Sequence, residues 1–154
     1  MKNWKFWLLI ALIAMLSACA EKADEAPKID PLAVPTSTDK DAWRKFMNAV
    51  MKETKFTEGA KGIYPYYVGE GDDTRKREVI QESIRNGIQP GYAYVITGAD
   101  STKVADFIVS AFAEAKPDTL LQTKLLFIGK QADDARVRGA VEPSGMAVVF
   151  HGTD

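Results

Sequence analysis

Five residues stand just beyond apolar runs in positions where they could do chemistry together. Gly98, Asp100 and Ser101 follow YAYVIT, Lys130 follows TKLLFI and Gly129, and His151 follows MAVVF. Glycine lets a backbone approach a ligand closely. A serine opening a helix sits beside N–H groups without intrahelical acceptors, which suits an anion. Lysine adds positive charge, and imidazole changes charge near neutral pH. Together such groups would bind, or act on, a phosphorylated or otherwise anionic metabolite. Tight turns and helix caps call for the same glycines and small polar residues. Both readings stand on the sequence alone.

A second group is aromatic. Tyr64, Tyr66 and Tyr67 crowd one short segment, IYPYYV. Tyrosine offers a large contact area with a polar tip and is enriched in interfaces, so this segment is a candidate partner surface. Counting Tyr92 and Tyr94, the five tyrosines fit core and edge positions equally well. Glu70, Asp72 and Asp73 cluster in a glycine-rich turn but lack the ligand order of a calcium loop, and they read as helix caps. Asp133 and Asp134 read the same way. Arg75, Lys76 and Arg77 read as a solvated helix face.

Several chemistries are excluded by type. His151 is the only histidine and Cys19 the only cysteine, so no set of histidine or cysteine ligands for a metal can be assembled. The phosphate-cradling G-x-x-x-x-G-K-[ST], the dinucleotide G-x-G-x-x-G and the G-x-S-x-G elbow are all missing. The expectation is no metal and no cofactor.

These residues must be positioned by regular elements. Ala42, Phe46, Ala49 and Val50, with Trp43, recur at three and four, and predict a helix from Thr38 to about Phe56. A box formed by Thr38 and Asp41 would cap it. A second helix is expected over 74–86, where Val79, Ile80 and Ile84 face inward and Gly87 stops the pattern. Strands over 92–97, 123–128 and 146–150 alternate with helices over about 101–116 and 132–141. Strand–helix alternation predicts right-handed crossovers and a parallel sheet. The fold class is therefore α/β: a small three-layer domain with helices on both faces of a mostly parallel sheet, preceded by an N-terminal helix. Three strands form that sheet, with a fourth available from 63–68, where Pro65 suits an edge.

The first nineteen residues carry a different message. Lys2 and Lys5 precede an apolar run of eleven residues, FWLLIALIAML, and then Leu16-Ser17-Ala18-Cys19. Crossing a bilayer takes about 20 apolar residues, so this run is too short to span and fits the hydrophobic region of an export signal. The tetrapeptide resembles the lipobox of bacterial lipoproteins. That resemblance implies cleavage before Cys19 and a diacylglycerol on its sulfur, hence a lipid-anchored protein of the cell envelope. Ala20 in place of an aspartate implies passage to the outer membrane, facing the periplasm. The expected organisation is a signal peptide over 1–18, a lipidated cysteine and extended tether over 19–37, and one domain over 38–154.

Pro27, Pro31 and Pro35 recur every fourth residue in that tether and favour extended chain. Taking residues 1–18 from the 154 leaves 136, enough for one domain. The signal takes two lysines from 20 cations, leaving 18 against 21 acids, so nucleic acid is not an expected partner. The partners expected are the membrane, through the lipid, and a protein. The function expected is non-catalytic binding of a protein partner in the envelope. The alternatives are an immunity protein against a toxin from a competing cell, a subunit of an envelope or secretion assembly, or a small enzyme at the strand ends.

Overall fold

The computed structural model describes residues 30–154; the expected export signal and Cys19 lie outside the described residues. Apolar spacing shapes the first helix, α1 (Lys40–Glu53), whose residues Trp43, Phe46, Met47 and Val50 are buried along one stripe. Asp39, not Thr38, caps it, its carboxylate accepting from the Asp41 N–H at 3.0 Å. Thr38 lies one residue outside, and its carbonyl accepts from the Tyr67 hydroxyl at 3.1 Å. The chain before α1 is packed: Leu32 lies against the α1 cluster, and Trp43 Nε1 donates to the Ser37 carbonyl at 2.7 Å.

The rest is strand and helix in strict alternation. β1 (Gly62–Val68), α2 (Thr74–Asn86), β2 (Tyr92–Gly98), α3 (Ser101–Phe112), β3 (Lys124–Gly129), α4 (Gln131–Val141) and β4 (Ala147–Gly152) follow in order. The segment 63–68 is a full fourth strand, and Pro65 sits in an edge strand as its missing N–H requires. All pairings are parallel, and the sheet order is β1-β2-β3-β4. Right-handed crossovers that always step in one direction put their helices on one face. Accordingly α2, α3 and α4 share a core with Tyr94, Ile96, Leu125 and Phe127. On the other face α1 alone covers Ala93, Val95, Leu126 and Ile128. Burying such a side chain stabilises the fold by roughly 1.5–3 kcal/mol.

Some boundaries differ from the sequence expectation. α3 stops at Phe112 rather than near Lys116: the Ala115 N–H turns back to the Phe112 carbonyl at 2.9 Å, and Pro117 keeps Lys116 from resuming the helix. β4 runs on to Gly152, so His151 is a strand residue and not a solvated tail. Asp133 and Asp134 lie in the first turn of α4 but do not cap it. They pair instead with Arg136 and Arg138, at 3.1 and 2.9 Å.

Candidate functional site

The strand C-terminal edge does gather Gly98, Asp100, Ser101 and Lys130; the first three are engaged within the fold, and Lys130, an exposed residue, through its backbone N–H. Gly98 is needed by the backbone: a Cβ there would lie 2.3 Å from the Val68 carbonyl oxygen. Asp100 caps α3 by accepting from the Lys103 N–H at 3.1 Å. Ser101 is buried; its hydroxyl donates to Asp133 and accepts from the Lys130 N–H, both at 2.7 Å. That bridge ties the start of α3 to the start of α4. His151 is apart from them. It is half-buried on the α1 face, with its ring 6.1 Å from Phe46. The steady order of the strands means no reversal, so the sheet has no topological switch point to open a crevice.

One cleft does open at this edge, about 450 Å³, lined by Thr38, Tyr67, Gly69, Glu70, Asp100 and Lys103 among others. Its only cation is already bound: Lys103 Nζ donates to the carbonyls of Gly69 and Gly71. Lys76 holds the same acidic turn by donating to the Tyr67 carbonyl and to Asp73. Asp73 also accepts from the Gly69 N–H at 3.1 Å, while Asp72 accepts from the Thr74 N–H at 2.8 Å. Those bonds to Thr74 hold the Asp72 carboxyl below its ordinary pKa. The turn is thus a folded clasp with two ammonium groups in it.

The tyrosines separate by strand parity. Tyr67 faces α1, its ring 6.2 Å from Trp43, and burial, then Glu70, Asp39 and Asp73, push its phenol up. Tyr64 and Tyr66 face the other way and meet Tyr92 and Tyr94, which sequence reading left as core or edge residues. In the β1–β2 register Tyr64 lies opposite Tyr94, and Tyr92 opposite Gly62. Gly62 makes room for a ring: a Cβ there would fall 2.5 Å from the Tyr92 ring. The result is a row of four. Tyr92 and Tyr64 stack with centroids 5.6 Å apart, Tyr64 and Tyr94 are 5.3 Å apart, and Tyr94 and Tyr66 are 6.0 Å apart.

This row forms one wall of a groove of about 350 Å³. Val79 and Ser83 of α2, with Asn86, Gly87, Ile88 and Gln89 beyond it, supply the rest. None of these residues carries a charge. Tyr64 is 43% exposed and Val79 37%, whereas Tyr94 is 3% exposed, so the row runs from open surface into the core. Burial is the largest cause raising the phenols of Tyr66 and Tyr94. Nothing in the groove resembles an acid–base pair; it offers aromatic area, hydroxyls and amides.

Among the described residues no cluster of three or more His, Cys, Asp or Glu could hold a metal ion, and no helix is long and apolar enough to cross a membrane. Comparison of the chain with known protein families, with curated proteins and with solved structures finds no match.

Proposed function

We propose that this chain is a lipid-anchored, non-catalytic protein of the bacterial envelope that binds a protein partner through the tyrosine-lined groove. The observation that carries the reading is the composition of that groove. Four tyrosines with Ser83, Asn86, Gly87 and Gln89 make a wall of rigid aromatic area and adaptable hydrogen-bonding groups. Evolved binding surfaces on antibodies draw on the same set, because tyrosine brings contact area at little entropic cost and small polar residues adapt to the partner. Non-catalytic binding is supported by the strand ends, where the polar groups of Asp100 and Ser101 are bonded internally. Anchoring is supported by the leader and the sequence ending at Cys19.

A photo-reactive amino acid placed in cells at Val79, on the groove rim, tests the binding. A discrete cross-linked protein is expected from position 79 and not from Leu121, which is 55% exposed and does not line the groove. Tyr64→Ala should abolish that product while lowering stability by only about 1 kcal/mol, the worth of an exposed aromatic pair. Identical products from both positions, or a product unaffected by Tyr64→Ala, would refute the assignment of this face. The mass of the mature chain tests the address: an unmodified Cys19 thiol in exported protein removes the anchor.

A further inference from the structure

We infer that α1 is the membrane-facing side of the domain, its exposed basic stripe resting on anionic lipid headgroups beside the anchor. The inference rests on the anchored reading above and adds an orientation to it.

Connectivity comes first. The arm enters the domain on the α1 side, where Leu32 packs into the cluster of Trp43, Phe46, Met47 and Val50. Ser37 is held there by the Trp43 indole. Only ten residues lie between Cys19 and Asp30, the first residue described, and extended chain reaches about 3.1 Å for each of the eleven steps. Asp30, two residues before Leu32, is therefore within roughly 35 Å of the lipid-bearing residue even at full stretch.

Charge comes second. Lys40, Arg44, Lys45 and Lys52 are exposed along α1, with Lys55 just past its end. Between residues 40 and 55 these five cations face two acids, Asp41 and Glu53. Among the described residues, only Arg44 of the five lies within ion-pair distance of a carboxylate, 3.2 Å from Asp41. The basic run on α2 is different. Arg75 pairs with Glu78, Lys76 with Asp73, and Arg77 donates to Thr74. Cations without partners are the ones whose charge an anionic surface can use.

Each cation near such a surface adds about fivefold to membrane affinity, and a basic patch complements acyl chains in holding a protein down. Orientation follows from the fold. The tyrosine groove lies on the opposite face of the sheet, with α2, α3 and α4. With α1 on the headgroups, the groove is turned outward to a partner.

The mature chain, residues 19–154, provides the test in acylated form on vesicles of phosphatidylcholine with or without phosphatidylglycerol. A fluorophore on Asn48→Cys, in the α1 stripe, should be quenched by headgroup-labelled lipid when phosphatidylglycerol is present. Added salt should relieve that quenching, and a fluorophore on Glu82→Cys of α2 should respond to neither. Arg44→Glu, Lys45→Glu and Lys52→Glu together should erase the difference between the two sites, and Lys45→Glu alone should reduce it. In its unacylated form the chain should sediment with phosphatidylglycerol vesicles at least about a hundredfold more weakly after the triple reversal. Equal quenching at 48 and 82, stronger quenching at 82, or binding indifferent to salt and charge reversal would overturn the inference. An unacylated Cys19 in exported protein would instead refute the anchor, and sedimentation of the unacylated chain would still decide whether α1 recognises anionic lipid.

Discussion

The strand C-terminal edge and the tyrosine groove both carry polar side chains and use them in opposite ways. At the edge, Asp100 caps a helix, Ser101 bridges to Asp133 and the Lys130 N–H, and Gly98 admits the Val68 carbonyl. In the groove, the rings of Tyr64 and Tyr92 stack on one another along an uncharged wall that opens to solvent. A buried polar group is stabilising only when it is bonded, so the edge reads as structure. A half-exposed aromatic row with amides beside it leaves groups for a partner. Residue type indicates what a group can do; its neighbours decide whether it is already doing something else.

Substitution separates the two regions, and the largest effect should be at Gly98. In Gly98→Ala the new methyl meets the Val68 carbonyl oxygen, which cannot move without shifting β1. Overpacking of this kind costs about 3 kcal/mol, visible as a lower urea midpoint with an unchanged slope. A neutral outcome would mean that β1 and β2 do not approach as described, and the distinction between the regions would weaken.

Ser101→Ala should cost about 2 kcal/mol, since it leaves the Asp133 carboxylate and the Lys130 N–H without that partner. It should leave cross-linking from Val79 unchanged. A variant that keeps full stability but loses a biological activity would turn the edge back into a functional site.

The smallest effect is the pH response of the row itself. Burial raises the phenols of Tyr66 and Tyr94, so folding favours their neutral forms. That contribution is complete below the ordinary tyrosine pKa of about 10 and is lost as pH rises through the higher folded values. Ultraviolet titration should find phenols ionising above their ordinary range, with the urea midpoint falling over the same alkaline interval. If all five phenols ionise together at the unfolded value, the inner half of the row is not buried.

Much of the architecture was legible because it depends on local pattern. Ile80 and Ile84 marked the buried stripe of α2, although Val79, expected to face inward beside them, is exposed at the groove rim; Asp100 and Ser101 marked the start of α3, and runs such as LLFI marked strands covered on both faces. The apolar run before Cys19 is a pattern of the sequence alone and lies outside the described residues. The tyrosine row was less legible. Adjacent strand residues point to opposite faces, and that parity alone could have set Tyr67 apart from Tyr66. The partnership of Tyr64 with Tyr94 had no such signal, because it depends on which strands become neighbours.

By itself, then, the sequence determined the order and type of the elements and their periodic buried faces. Tertiary structure decided that the strands follow one another without reversal, that three helices share one face, and that α1 covers the other. It also decided that Ser101 would meet Asp133 and Tyr64 would meet Tyr94, across gaps of about thirty residues. The physical reason is range. Periodicity and capping act within a few residues, whereas the partner of a hydroxyl or a ring is set by packing between segments far apart in the chain.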